Sequence, residues 1–461
     1  MQVSSSELSA LIDRYGGTAP RYTSYPTPPD WQAWDGARTQ QGLEQAARSR
    51  SSFALYVHLP FCAQRCLFCG CNVAITRDSA RVDRYLDRLL QELELVGRTG
   101  LLKRPVSSVH LGGGTPTHLS LAQLERLLSA LESACHPEPG VALSLEADPR
   151  VTEVAQLALL HEHGFRRVSF GVQDLDPDVL RAVGRECARE RVEEGLSAAR
   201  SLGYSSVNVD LIYGLPLQTR ASFARTIAET VELGPDRIAL FHYAHVPWMK
   251  KHQGALERWP TPDPLEKLRI FEDARSALEA AGYVHLGLDH FAREDDALTQ
   301  AYRRGQLGRD FMGYTERRAR ELLALGASGI GEMGGCYLQN EPDVRAWEAR
   351  IEAGELATVR GYAPSQDDVL RGAAIRALMC NGRLEKARLE TLFAIDFDLD
   401  FRDELSALRL PVQDGLVRLT PQAIEVTRLG RLFLRNLASV FDRYLAARSV
   451  DAGAGRFSRT H

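Results

Sequence analysis

Four cysteines stand close together, Cys62, Cys66, Cys69 and Cys71, in the run YVHLPFCAQRCLFCGCN at 56–72. Thiolates this close on one stretch hold either zinc or an iron–sulfur cluster. Zinc wants four ligands, and Cys71 would complete the set. A C-x-C step is not among the usual zinc spacings, however, and no second ligand pair follows. Three thiolates spaced C-x3-C-x2-C on a four-iron cluster leave one iron without a protein ligand. An open coordination position is what a metal centre needs in order to bind a substrate. Spacing alone leaves both readings standing. The remaining cysteines, Cys135, Cys187, Cys336 and Cys380, are scattered and read as small buried apolar residues.

The elements that position this loop are legible as β-rich runs at 53–59, 107–112, 141–146, 167–173, 207–213 and 237–243. Segments such as 80–97, 119–135, 190–202 and 219–232 lie between them, with apolar residues at three- and four-residue intervals. Strand then helix, repeated six times, predicts parallel strands joined by right-handed crossovers, hence an α/β fold built on an open or partial (β/α)6 barrel. Polar residues recur where these strands end: the GGGT of 112–115, Glu146, Gln173 and Asp210. In such folds the site is built at that end. Each residue alone is as readily a cap or a turn; their recurrence at one end of successive strands favours a site.

The chain of 461 residues exceeds one ordinary domain. Residues 1–50 read as a loop-like N-terminal segment that either gates the site or packs against the barrel. Residues 51–355 form the expected catalytic domain, and a break falls near 355–366. Residues 366–448 read as a smaller, mostly helical, winged-helix-like domain: a helix at 367–382, a hairpin at 416–427 and a helix at 428–447. That domain carries 13 Lys and Arg against 12 Asp and Glu, and the whole chain has a net charge of −4. A nucleic-acid reader carries a clear basic excess, so nucleic acid is not the expected partner. The N-terminus lacks the basic-then-apolar pattern of a secretory signal, and no 18-residue apolar run offers a membrane span. A cytoplasmic protein follows as the expectation, and a monomer, since nothing reads as a coiled coil.

The cysteine spacing, with GGGTP at 112–116 downstream, resembles the radical S-adenosylmethionine (SAM) superfamily. The chain further resembles the oxygen-independent coproporphyrinogen III oxidase (dehydrogenase) family over nearly its whole length. The matching stretches are PRYTSYPT (20–27), the cysteine run, HLGGGTPT (110–117), LEADPR (145–150), FGVQD (170–174), NVDLIYGLP (208–216), FHYAHVP (241–247), LDHFAR (288–293), GYT (313–315) and RLFLRN (431–436). The resemblance implies one [4Fe–4S] cluster on Cys62, Cys66 and Cys69, and two SAM molecules. Tyr56, Gly113, Glu146 and Ile330 match contacts to the first. Phe68, Gly114, Thr115, Gln173, Arg185, Asp210 and Ala244 match contacts to the second.

The implied reaction turns two propionates of coproporphyrinogen III into vinyl groups, giving protoporphyrinogen IX for haem, through a 5′-deoxyadenosyl radical. The reaction needs a low-potential electron, so a donor such as flavodoxin or ferredoxin is expected. A substrate with four carboxylates calls for Arg and Tyr at the rim; Arg21, Tyr22 and Tyr25 are candidates, as are His290, Arg293 and Tyr314. Tyr56 and Cys71 join Arg21 and Tyr22 as expected catalytic residues, Cys71 as a thiol near the substrate. The loop GEMGGC (331–336) departs from the family pattern. A haem-carrying relative of the family is the competing reading, opposed by the C-x-C step and by PRYTSYPT.

Overall fold

The structure, a computed structural model, describes residues 4–141, 143–448 and 457–460. The six expected strands are present as β1 (Phe53–Leu59), β2 (Pro105–Gly113), β3 (Leu143–Ala147), β4 (Phe165–Gln173), β5 (Ser206–Tyr213) and β6 (Arg237–His242). Ala142, inside the run expected for β3, lies outside the described residues. The strands pair side by side and parallel, in the order β1-β2-β3-β4-β5-β6. A seventh parallel strand, Leu322–Leu325, adds to the free edge of β1, with Leu322 opposite Ala54. Antiparallel strands extend both edges: 330–333, 336–340 and 358–362 on one side, 290–293 and 283–286 on the other.

Period-two alternation sets the two faces of the arc. On β5, Val207, Val209 and Leu211 are buried against the outer helices. Asn208, Asp210 and Ile212 face inward and line a cavity. The same phase puts Ser108 and His110 of β2, Ser144 and Glu146 of β3, and Arg167, Ser169, Gly171 and Gln173 of β4 on the inner wall. Closed barrels of this kind fill their interior with branched apolar side chains. Here polar side chains such as Glu146, Ser169 and Asp210 stand on the inner wall around a cavity, so the arc encloses a site instead of a packed core. The stabilising burial lies outside it. The helix Ser79–Arg98 buries Val82, Tyr85, Leu86, Leu89, Leu93 and Val96 at helical spacing. Each such side chain contributes about 1.5–3 kcal/mol when taken from water.

Residues 1–50 divide between two cores. The helix Gly36–Ala46 buries Leu43 and Ala46 in the main core. The helix Ser5–Tyr15 joins the C-terminal region, where Leu8, Leu11, Tyr22 and Tyr25 pack with Phe397, Phe401, Phe433 and Phe441. Arg14 and Tyr15 both bond Asp414, at 2.6 and 2.5 Å. Strand Thr358–Tyr362 pairs with 336–340, so the sheet runs past the break expected at 355. The C-terminal region keeps the expected helix, at Gln366–Asn381, and the hairpin at Val417–Leu419 and Ala423–Val426, joined by Arg383–Glu385 into three strands. The single helix expected over 428–447 is instead three short segments, Gly430–Phe433, Leu434–Ser439 and Arg443–Arg448.

Candidate active site

The cysteine run is the long connection that leaves β1 at the C-terminal end of the arc. The sulfur-bearing residues Cys62, Cys66, Cys69 and Cys71 all border one cavity of about 620 Å³, a size typical of ligand sites. Among the described residues no three Cys, His, Asp or Glu side chains converge tightly enough to grip one metal ion. The thiols open onto a shared space. Their surroundings suit an anionic, thiolate-held group. Arg185 donates to the Cys66 sulfur at 3.2 Å and Arg150 does so at 3.6 Å. Both guanidiniums are anchored by the buried Asp148, at 3.1 and 2.7 Å. Thr115 Oγ1 lies 3.4 Å from the Cys62 sulfur. Burial pushes the Cys62 thiol up to about 11. Cys69 is held below the ordinary thiol range by its hydrogen bond with Cys71, which is pushed up in turn; the Lys250 and Arg65 cations add to the effect on Cys69.

The glycine run is bare because other parts of the chain press on it. A β-carbon on Gly114 would stand 2.7 Å from the carbonyl oxygens of Pro60 and Phe61, and one on Gly113 would strike the His58 ring. Gly113 also has φ +117°, open to glycine alone. Close contact holds the two loops together: Gly114 N–H donates to Leu59 O at 2.8 Å and Thr115 N–H to Phe61 O at 2.9 Å. Gly114→Ala therefore pushes the cysteine loop from its place. We expect it to lose about 1–3 kcal/mol of stability and to hold less iron per chain, read by thermal denaturation and metal analysis.

Glu146 receives the Gly113 N–H at 3.0 Å and faces His110 at 3.7 Å. Burial acts to raise its pKa, but the His110 bond and charge and the Gly113 amide outweigh it, and the carboxyl sits below its usual range. Asp210 shows the reverse. Burial, reinforced by the Glu146 charge, pushes it up to about 6. Gln173 closes β4 at φ +74°, an uncommon conformation for a residue with a side chain, and lines the cavity. Arg185 also donates to Gly171 O.

Of the residues singled out from the sequence, Arg21, Phe68, Gly113, Gly114, Thr115, Glu146, Gln173, Arg185, Asp210, Ala244, His290 and Tyr314 meet at this cavity with the four cysteines. Tyr56 stands just behind the wall, its hydroxyl 2.9 Å from His58 Nδ1 and its ring stacked on His110. Others lie elsewhere. Tyr22 is buried in the second core and donates to Asp442 at 3.0 Å, so its hydroxyl is committed away from the cavity. Tyr25 is buried there too, and its hydroxyl accepts the Arg443 N–H. Ile330 opens an antiparallel strand opposite Gln339, off the cavity wall. Arg293 stacks on Tyr283, also off the wall.

The structure adds residues that sequence reading passed over. Asp148 and Arg150 sit inside the matched run LEADPR yet gave no separate signal. Gln253, fully buried, donates to the carbonyls of Phe68 at 2.8 Å and Ala244 at 3.2 Å, tying two expected site residues together. Asp289, also buried, accepts from Arg21 at 3.4 Å and lies 2.9 Å from His290 Nδ1. Burial alone would raise Asp289, but His290, Arg309 and Arg21 hold it far below the usual carboxylate range.

The radical SAM superfamily model matches residues 56–229. The oxygen-independent coproporphyrinogen III oxidase of Pseudomonas aeruginosa is 41% identical over 452 residues, covering 97% of each chain. That of Escherichia coli K12 is 41% identical over 438 residues, covering 95% of each. A solved Escherichia coli structure, described as coproporphyrinogen III oxidase and a radical SAM enzyme, superposes with a TM-score of 0.88 at 39% identity, over 95% of this chain and 98% of that one. The chain belongs to the oxygen-independent coproporphyrinogen III oxidase family of radical SAM enzymes.

Proposed function

We infer that this protein is an oxidoreductase that converts two propionates of coproporphyrinogen III into vinyl groups without oxygen, giving protoporphyrinogen IX for haem synthesis. One observation carries the reading: a chain matched to these oxidases along 97% of its length keeps the three thiols C-x3-C-x2-C on the wall of one cavity. Membership of the family implies a [4Fe–4S] cluster and SAM. When bound, the reduced cluster supplies the electron that cleaves SAM to start the radical reaction.

The chain's own task is to bind, orient and shield. We propose that Cys62, Cys66 and Cys69 hold the cluster and that Arg150 and Arg185 balance its charge. Two SAM molecules are proposed to bind. Gly113 and Glu146 serve the first, with Tyr56 packed behind them against His58 and His110; Phe68, Gly114, Thr115, Gln173, Arg185, Asp210 and Ala244 serve the second. The carboxylates of Glu146 and Asp210 suit an ammonium or ribose hydroxyls, and Arg185 suits a carboxylate. Arg21 is proposed to meet a substrate carboxylate at the mouth. Its guanidinium is steadied there by His242 O at 2.9 Å and by Asp289. Keeping that propionate ionised matters, because the group must leave as carbon dioxide. Phe241, Val246 and Met312 supply apolar wall for the macrocycle. A low-potential carrier such as flavodoxin or ferredoxin is proposed as donor, to a monomer working in the cytoplasm. Cysteines without a disulfide among the described residues suit that reducing compartment. Among those residues no helix is long and apolar enough to cross a membrane.

Anaerobic turnover of the reconstituted, reduced protein tests the function. The expected result is one 5′-deoxyadenosine for each propionate lost, with protoporphyrinogen IX formed. Deoxyadenosine without any porphyrin product would reject the substrate. Asp210 adds a pH signature. Below about pH 6 its carboxyl is protonated and ceases to be a full acceptor. SAM affinity at the second site is therefore expected to weaken as pH falls through 6, by at most about tenfold per unit for one proton. Titration calorimetry checks this, and Asp210→Asn should bind more weakly at neutral pH with the slope gone.

A further inference from the structure

We propose that Tyr85 and Glu92 are positioning residues of the active site: through the turn 326–328 and His58 they fix the two ends of the cysteine loop and the strand end read as holding the first SAM molecule. The inference rests on the reading of Gly113 and Glu146 as contacts of that molecule.

The helix Ser79–Arg98 meets the core through an apolar stripe that has two polar members, Tyr85 and Glu92, two turns apart on one face and both buried. The donors that meet the Glu92 carboxylate are neutral: Gly326 N–H at 2.6 Å, Asn340 Nδ2 at 2.9 Å and Trp347 Nε1 at 3.4 Å. Burial pushes the carboxyl up to about 7, although all three donors act to lower it. A buried carboxylate among neutral donors is costly to keep, and an apolar residue at this position would continue the stripe without that cost. What the carboxylate secures is a turn. Asn340 Nδ2 also donates to Gly326 O at 3.0 Å, so Gly326 is held at its amide and at its carbonyl. Tyr85 holds the next residue: its hydroxyl accepts the Ala327 N–H at 3.0 Å and donates to His58 O at 2.8 Å. The turn is thereby pressed onto β1, and a β-carbon on Gly326 would stand 2.6 Å from His58 O.

From His58 the arrangement reaches the site. A carbonyl only accepts, so His58 Nε2, 3.0 Å from Asn72 O, carries the proton, and Nδ1 is left to accept the Tyr56 O–H at 2.9 Å. Burial lowers the His58 pKa, in keeping with a neutral ring. The same ring is the one a β-carbon on Gly113 would strike. His58 thus sets Tyr56, Gly113 and Asn72, the residue that follows Cys71. At the other end of the loop, the Tyr85 ring packs edge-on against Phe61, the residue before Cys62, with centroids 5.2 Å apart. Both ends of the cysteine loop are therefore referred to one helix, by residues that do not line the cavity.

The test separates position from stability. Tyr85→Phe keeps the ring and removes the hydroxyl. Glu92→Gln keeps the size and an acceptor for the Gly326 amide, whereas Glu92→Leu removes every acceptor. Leu89→Ala, in the same stripe, opens a cavity without removing a hydrogen bond to the turn and is the destabilised control. For each cluster-bearing protein the denaturation midpoint is measured, with KM for coproporphyrinogen III and the SAM concentration that half-changes the electron paramagnetic resonance spectrum of the reduced cluster. We expect Tyr85→Phe and Glu92→Leu to need roughly tenfold more SAM, and Glu92→Gln to need less than Glu92→Leu, with KM for coproporphyrinogen III within about twofold of wild type. Leu89→Ala should lower the midpoint at least as far as Tyr85→Phe and leave the SAM requirement within about twofold. An equal SAM defect in Leu89→Ala overturns the inference, because loosening of the helix then suffices. A wild-type SAM requirement in Tyr85→Phe overturns it as well, and that variant decides the matter if Glu92→Leu does not fold. A cluster-bearing wild-type protein whose spectrum SAM leaves unchanged rejects the functional reading itself, and with it the basis for the positioning role.

Discussion

Cys66→Ser is expected to abolish turnover and to strip most of the iron from the purified protein, and Cys62→Ser and Cys69→Ser are expected to do the same. A serine oxygen is a hard donor where a four-iron cluster needs soft thiolate. Three ligands leave no spare to compensate. Cys66 is the most telling of the three. Arg185 and Arg150 both point at its sulfur and are themselves held by Asp148. The substitution therefore leaves two guanidiniums aimed at a neutral hydroxyl, on top of a lost ligand. Cys71→Ser should differ. The Cys71 side chain borders the same cavity, but its backbone carbonyl is tied outward to Lys250. We expect iron and labile sulfide at wild-type levels and a fall in turnover, as a thiol near the substrate predicts. Iron loss equal to that of the other three would make the set four ligands and close the open iron. Metal and sulfide analysis of the four variants, purified without oxygen, decides the matter.

How far the sequence reaches depends on the range of the interaction that fixes each feature. The strand runs along 165–173 and 206–213 alternate cleanly because one face meets helices and the other meets a polar cavity, and period-two contrast is a local signal. The strand Leu322–Leu325 was missed for the opposite reason. It is four apolar residues with no helix after it, and only its pairing with β1 and with 330–333 makes it a strand. The helix expected over 428–447 breaks into three because the chain turns around Phe433 and Phe441, both buried by residues far off in sequence. The site divides in the same way. Cys62, Glu146, Gln173 and Asp210 could be read from spacing, strand ends and family pattern. Tyr22 and Ile330 were drawn in by residue type or pattern, but a partner such as Asp442, 420 positions away, leaves no trace near Tyr22. Asp289 and Gln253 carry the converse lesson. Each acts through other site residues, and such roles appear only once the fold has brought the partners together.

Arg435 shows how the second core reaches the active site, and its removal should be costly. The residue is 5% exposed, and among the described residues no carboxylate is among its hydrogen-bond partners. It donates to Ala19 O and to Pro20 O at 3.3 Å on one side, and to Ser458 O and Arg459 O at 3.3 Å on the other. Burial lowers its pKa to about 9, with the Arg21 and Arg309 charges adding to the effect. A buried cation held by carbonyls and one serine hydroxyl is expensive to keep, so the arrangement implies a positional return. Arg435 clamps the residues just before Arg21 to the C-terminal stretch, where Thr460 N–H also donates to Gly17 O at 3.1 Å. Arg309 donates to Arg21 O from the other side. Arg435→Met removes the donors and leaves buried carbonyls unsatisfied. We expect a loss of about 3 kcal/mol in stability, seen as a lower denaturation midpoint. In the protein that remains folded, Arg21 is no longer aimed, so KM for coproporphyrinogen III should rise roughly tenfold, the equivalent of about 1.4 kcal/mol, while kcat changes less. Arg435→Lys can reach some of the carbonyls and should recover part of KM. A kcat that falls as far as KM rises would place the damage at the reacting centre and remove Arg435 from the role of positioning Arg21.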